Sequence, residues 1–303
     1  MNVLSNPQLQ LAYEFVEHTG RNIFLTGKAG TGKTTFLQKI RGITTKRLVV
    51  VAPTGVAAIN AGGVTIHSFF QLPFGPIIPA DDVNSRTEDK QVFKFSRDKI
   101  NIIRSLDLLI IDEISMVRAD LLDGVDQVLR RYRNRSMPFG GVQLLMIGDM
   151  QQLPPVVKED EWNLLSSHYS SFYFFGSQAL QKSDYVTVEL KHIYRQSDPK
   201  FINLLNKVRD SKIDNHTLEI INSRHLPGFV PDPKEGFITL TTHNHQAREI
   251  NTRRLAKVQG TSRIYRARIE GEFPELAYPT DHELVIKTGA QVMFVKNDPS
   301  PNK

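Results

Sequence analysis

Short runs of aliphatic and β-branched residues alternate with stretches of helical character along most of this chain. Strands are expected over 22–26, 47–52, 106–111, 142–147 and 185–190. That alternation predicts an α/β fold with a largely parallel sheet. Each of the first four strands runs directly into a distinctive segment: GKAGTGKT, PTGVAA, DEIS and GDMQQLPP. Ligands of open α/β sheets gather at the carboxyl ends of the strands, so four such segments imply one shared site.

The rhythm breaks over 70–97, where Pro73, Pro76 and Pro79 precede a charged stretch. This reads as an inserted arm carrying a small hairpin. A second lobe is expected after about Ser183. Its helices fall over 198–210, 216–224 and 243–258, and its strands over 237–241, 282–287 and 290–295.

Composition narrows the class. A length of 303 residues suits about two domains, and 40% hydrophobic residues suffice to fill their cores. No apolar run approaches the roughly 18 residues that span a bilayer. The start, MNVLSNPQLQ, lacks the basic and apolar segments of a signal peptide. Cysteine is absent, which removes disulfides, thiolate catalysis and cysteine-based zinc sites together. An intracellular protein is expected, in the cytoplasm or nucleoid if bacterial. The net charge of +6 favours a polyanionic partner. Arginines cluster at Arg130, Arg131, Arg133 and Arg135, at Arg253 and Arg254, and at Arg263, Arg266 and Arg268, although any one cluster also fits a solvated face.

The residues 27–34, GKAGTGKT, match the phosphate-loop pattern and follow an expected strand. Glycines at 27, 30 and 32 let successive backbone N–H groups converge on phosphates. Lys33 neutralises charge there, and the Thr34 hydroxyl is a ligand for Mg²⁺. Gly27, Ala29, Gly30, Thr31, Gly32, Lys33, Thr34 and Thr35 are therefore the expected ATP-binding residues. The apolar run 108–111 ends in Asp112 and Glu113, adjacent carboxylates that repel unless a cation compensates. Asp112 is assigned to Mg²⁺ and Glu113 to polarising the attacking water. In GDMQQLPP, the amide of Gln152 suits a γ-phosphate oxygen, and Pro154-Pro155 stiffens the loop behind it.

Taken in order and spacing, GKAGTGKT, PTGVAAINAGGVTIHSFF, IIDEISMV, PFGGVQLLMIGDMQQLPPV and HIYRQ resemble the petite-integration-frequency (Pif) helicases of bacterial type. These are superfamily-one motors of the 5′→3′ branch, and the likeness runs from Gln10 to Val295. It implies tandem RecA-like domains with parallel sheets, the first over 1–183 with a wedge-like arm. The second, over 184–303, is partial and carries the start of an SH3-like insertion near 289–303. It also implies ATP and Mg²⁺ as cofactors, with single-stranded DNA and 5′-tailed duplex or structured DNA as partners of a monomer free of membrane. Gln10 falls where the family reads adenine, with Gln8 as the competitor. Arg195 in YRQ aligns with an arginine finger supplied by the second lobe. Thr54, Gly55, His67, Phe69, Pro154, His243 and Asn244 match the family's DNA surface. The pair His243 and His245 lacks a third ligand at metal spacing and aligns with a nucleic-acid segment. Two downstream family motifs do not occur, so the chain reads as an N-terminal part of a longer helicase. The rival readings are another phosphate-loop enzyme such as a nucleotide kinase, or a fragment that binds nucleotide and DNA without turnover.

Overall fold

The computed structural model describes residues 6–79, 95–232, 235–269 and 280–293. The chain divides into two compact units, one ending at Arg209 and the other beginning at Asp210.

The first unit is built on six parallel strands: β1 (Asn22–Gly27), β2 (Leu48–Ala52), β3 (Val64–Thr65), β4 (Leu108–Ile111), β5 (Gln143–Gly148) and β6 (Tyr185–Leu190). They lie in the order β3-β2-β4-β5-β1-β6. Successive side chains of a strand point to opposite faces. Leu109 and Ile111 accordingly join one core with Phe24, Leu144 and Met146. Leu108 and Ile110 join the other with Ile23, Leu25, Leu145 and Ile147. Both faces are covered, which is why β4 and β5 read as unbroken apolar runs.

Helices complete both layers. The second core takes Leu9, Ala12 and Val16 from α1 (Pro7–His18), and Phe36, Leu37 and Ile40 from α2 (Lys33–Ile43). The first core takes Ile66, Phe69 and Phe70 from α4 (Ile66–Phe70), and Leu122, Val125 and Leu129 from α6 (Ala119–Tyr132). Between them in the chain come α3 (Gly55–Ala61) and α5 (Arg97–Ser105). After β5 follow α7 (Glu159–Leu165) and α8 (Gln178–Gln181), and α9 (Pro199–Arg209) closes the unit.

The boundary differs from the expected one. The sequence pattern has β6 open the second lobe, yet it pairs with β1 from Asn22↔Tyr185 to Gly27↔Leu190 and completes the first sheet. Its half-buried pattern is that of an edge strand, which a reading of apolar runs does not assign to either lobe.

The second unit contains α10 (Asn215–Asn222), α11 (Asn244–Lys257) and an antiparallel ribbon of β7 (Ser262–Arg266) and β8 (Glu283–Lys287). Ribbon and helix are joined where Lys287 Nζ donates to the Val258 carbonyl at 2.8 Å. The strand expected over 237–241 is irregular, and β7 has no counterpart among the expected strands. The expected strand over 290–295 is irregular as far as Met293. Its remainder, with most of the arm over 80–94, lies outside the described residues.

Candidate nucleotide site and adjoining surface

The strand registers Val51↔Ile111, Ile111↔Met146 and Thr26↔Gly148 set the ends of β2, β4, β5 and β1 level. The four motif segments therefore open side by side. Gly27, Gly30 and Gly32 all have positive φ, at 151°, 79° and 97°. Glycine is needed there for space as well. A Cβ on Gly27 would lie 2.6 Å from the Leu190 carbonyl oxygen, and one on Gly30 would lie 2.6 Å from Arg195 Cβ. Gly32 caps α2 without a side-chain hydrogen bond, so the first N–H groups of an 11-residue helix stay open to an anion.

Lys33 folds back onto its own loop. Its Nζ donates to the carbonyls of Gly27 at 2.6 Å and Lys28 at 3.1 Å. Burial lowers its pKa, against the pull of Asp149 and Glu113. Asp112 is buried at the end of β4, and burial first, then Glu113 beside it, pushes its carboxyl up to about 6. A buried carboxylate so destabilised is a fitting cation ligand, because a divalent ion would supply the missing charge. Glu113 has φ 53° and ψ 45°, a left-handed conformation rare outside glycine and often found at active sites. Gly148 makes this turn possible, since a Cβ there would press on Ile114 at 2.8 Å.

Asp149, only 1% exposed, organises the next loop. It accepts from the Gln151 backbone N–H at 3.2 Å, from Gln152 Nε2 at 2.9 Å, and from both terminal nitrogens of Arg209, one at 2.7 Å. Burial opposes its charge, but these hydrogen bonds prevail and hold its pKa below the usual carboxylate value. One amide hydrogen of Gln152 is thereby engaged, and the second is available.

Arg195 lies against the phosphate loop. The Tyr194 and Arg195 backbone N–H groups donate to the Gly30 carbonyl at 2.8 and 3.3 Å. Asn6, which caps α1, donates to the Tyr194 hydroxyl at 2.9 Å. This segment belongs to the first compact unit, not to the second lobe from which the arginine is expected. The parallel pairing of β6 with β1 carries it there.

Gln10 sits in the first turns of α1, with its Nε2 on Glu14 at 3.0 Å. Thr34, Thr35 and Ala29 are at least partly exposed, and Thr31 is buried with its hydroxyl on the Lys28 carbonyl.

A second surface opens at the ends of β2 and β3. Thr54 caps α3, directly before Gly55, and its hydroxyl accepts from the Ala57 N–H. On α4, His67 stacks on Phe74 with ring centroids 4.9 Å apart and 18° between planes. Burial and then Arg118 lower the His67 pKa, Asp120 opposing. Phe69 corrects an expectation. The family resemblance places it on the DNA surface, but it is 5% exposed and packs in the core, with Lys99 Nζ 3.4 Å over its face. Pro154 is exposed between Leu153 and Val156, themselves 68% and 80% exposed.

The PIF1-like helicase family matches residues 6–219 of this chain. The chain belongs to that family. It is 37% identical over 297 residues to the ATP-dependent DNA helicase PIF1 of Saccharomyces cerevisiae, covering 92% of this chain and 32% of the yeast protein. A bacterial relative, the ATP-dependent DNA helicase Pif1 of Bdellovibrio bacteriovorus, is 32% identical over 289 residues, covering 93% of this chain and 61% of the relative. Among solved structures, the Pif1 helicase from Bacteroides in complex with ADP-AlF3 and ssDNA superposes with a TM-score of 0.87 at 40% identity. That match covers 98% of this chain and 67% of the Bacteroides one. The chain thus spans about a third of the yeast PIF1 relative and about two thirds of the Bacteroides structure.

Of the expected site residues of this PIF1-like chain, Lys33 lies in the first unit within electrostatic reach of Asp112, Glu113 and Asp149, and Asp149 holds Gln152. His243 and Asn244 lie in the second unit, where the His243 ring nitrogen meets the Thr242 hydroxyl at 2.9 Å. Sequence reasoning missed Arg209, Asn206 (which accepts from Lys28 Nζ at 2.7 Å) and Arg118. Among the described residues, no group of three metal-ligating side chains stands close together, and no helix is long and apolar enough to cross a membrane.

Proposed function

We propose that this chain is the ATP-hydrolysing part of an intracellular DNA helicase that moves 5′→3′ along single-stranded DNA. The observation that carries the ATPase reading is the level ending of four parallel strands, which gathers a glycine loop, a carboxylate pair and an amide-bearing loop at one edge. The DNA reading rests on the PIF1-like relatives, on the net charge of +6 and on the surface beside β2 and β3. The polarity comes from the family resemblance alone.

In this mechanism Lys33 exchanges its two loop carbonyls for phosphate oxygens of ATP, and the open N–H groups of α2 hold the same phosphates. Thr34 and Asp112 would hold Mg²⁺, which when bound offsets charge on the phosphates. Glu113 accepts a proton from the attacking water. Gln152, steadied by Asp149, offers its second amide hydrogen to the γ-phosphate, and Arg195 supplies charge from beside Gly30. Gln10 reads the adenine edge. Thr54, Gly55, His67 and Pro154 hold the strand, and His243 and Asn244 are DNA-binding residues of the second unit taken by itself. We also propose that the second unit is part of a second RecA-like domain.

The test is steady-state ATP hydrolysis with and without an unstructured oligonucleotide, with Lys33→Ala as the control. Stimulation by DNA that Lys33→Ala abolishes supports the reading. Turnover indifferent to DNA points to another phosphate-loop enzyme, and binding without turnover to an inert fragment. Strand displacement on a 5′-tailed but not a 3′-tailed duplex fixes the direction.

A further inference from the structure

All strands of the first sheet are parallel, so one edge of it carries every carboxyl end and the other every amino end. The nucleotide loops occupy the first edge, and the second gathers basic side chains. Gln143, which opens β5, ties the centre of that second edge together. Its Nε2 donates to the Arg21 carbonyl just before β1 at 2.7 Å, and its Oε1 accepts from Lys46 Nζ just before β2 at 2.6 Å. Its backbone N–H donates to the carbonyl of Asp107, just before β4, at 3.2 Å. Arg47 pairs with the Asp107 carboxylate at 2.8 Å. Arg133 reaches in from the end of α6 and donates to the Arg104 carbonyl at 2.6 Å, and Arg130 holds the Arg135 carbonyl at 3.3 Å. Arg21, Arg104 and Arg135 are thereby fixed through their backbones. Their side chains are exposed and make no hydrogen bond or ion pair among the described residues.

We propose that this amino edge is a second nucleic-acid surface, one that takes the sugar-phosphate backbone of duplex DNA. Part of the charge has a local cause, because a cation in the last turn of a helix offsets its dipole, as Arg104 does on α5. Arg21, Lys46, Arg47 and Arg135 lie outside the helices, so the dipole does not account for them. Asp107, bonded to Arg47, and Glu17, bonded to Thr44 and Thr45, offset only part of the charge. From β2 through β4 and β5 to β1 is three strand spacings, roughly 15 Å at about 4.8 Å each. A duplex carries one phosphate charge per ~1.7 Å of its axis, so that width meets several phosphates. Guanidinium groups suit them because they pair with phosphate bidentately. A duplex is favoured over a single strand because it brings about twice the charge per length. β1 and β5, of six residues each, put roughly 20 Å between the two edges at about 3.3 Å per residue. A duplex held here therefore neither displaces ATP nor follows the path of the proposed single strand.

The choice of DNA over an acidic protein rests on the proposed DNA reading, and the experiment separates the two. Wild type and a variant combining Arg21→Gln, Arg104→Gln and Arg135→Gln are titrated with a blunt duplex and with oligothymidine. Fluorescence anisotropy across a potassium chloride series gives the affinities. The variant should bind duplex about 10- to 100-fold more weakly, with a salt slope shallower by about 1 for each arginine removed. Its melting temperature, basal ATP hydrolysis and affinity for oligothymidine should stay at the parent's level. A second variant, combining Lys200→Gln, Lys212→Gln and Arg224→Gln, removes the same charge from exposed positions elsewhere and should keep the parent's duplex affinity. If it loses as much as the first, net charge alone is responsible and the inference fails. It fails too if the first variant binds duplex as the parent does, or loses oligothymidine to the same extent. A wild type that binds duplex but ignores oligothymidine removes the proposed strand surface and leaves this one standing. One that binds neither overturns both.

Discussion

Asp112 and Glu113 are neighbours in the chain with opposite demands on their surroundings. Asp112 is buried and its pKa rises from 3.8 to about 6, so the folded state holds its proton more tightly than the unfolded chain does. Stability without cation therefore falls as pH rises from about 4 to about 6, and stays at the lower level above that. Asp112→Asn should raise the melting temperature of the magnesium-free protein at pH 8, by about 2–3 kcal/mol in stability. The gain should vanish as pH approaches 4, and a melt series across that range checks it. Glu113→Gln should leave nucleotide affinity near that of the parent while turnover falls about 100-fold or more, because an amide keeps the shape and loses the base. Binding of a fluorescent ATP analogue set beside phosphate release separates the two effects. If affinity collapses only when magnesium is present, Glu113 holds the metal and the roles are exchanged. The place of both carboxylates at the end of β4 was legible in the sequence, since they close an unbroken apolar run. Phe69 was not. A helix of five residues is too short for its periodicity to tell which ring faces inward.

Strands β1, β2, β4 and β5 were legible to within two residues at their ends, because burial on both faces demands unbroken apolar runs between polar stops. The ring-stacked loop after α4 and the ion pair between α9 and the loop after β5 were not. Arg209 lies 60 residues from Asp149, and no local pattern announces such a pairing. α9 touches the site twice, through Arg209 on Asp149 and through Asn206 on Lys28. Arg209→Ala should therefore loosen Asp149 and the Gln152 amide it steadies. Turnover should fall about 10- to 100-fold with a smaller change in KM, because the reacting geometry relaxes while the groups that bind substrate stay in place. Arg209→Lys should rescue little, because an ammonium cannot span both carboxylate oxygens. Equal kcat in wild type and Arg209→Ala would remove α9 from the catalytic geometry.

At the scale of the whole molecule, the excess of six positive charges suits a polyanionic partner whose binding weakens with salt. Affinity for an unstructured oligonucleotide should fall linearly on logarithmic axes, with a slope of about −0.7 for each strand phosphate neutralised. Little preference among base sequences should accompany it, because stacking and phosphate contacts accept every base. A titration in potassium chloride on several oligonucleotides tests both points, and a flat line would argue against a phosphate-dominated interface. The fold class was legible at this scale, but the division between units was not, since it turns on which sheet an edge strand joins. That edge strand has a further consequence. Leu190 is held opposite Gly27, and Tyr194 is held on the Gly30 carbonyl, so the connection between the two anchors is a measuring rod of fixed length. One residue added within it must unfasten one end or the other, and Arg195 moves off its mark. A glycine inserted after Lys191 should thus cost ATP hydrolysis. The same insertion after Gly228, where a Cβ would find nothing within 4 Å, should be tolerated. Between residues 190 and 194 it is therefore the number of residues, more than their side chains, that the fold holds fixed.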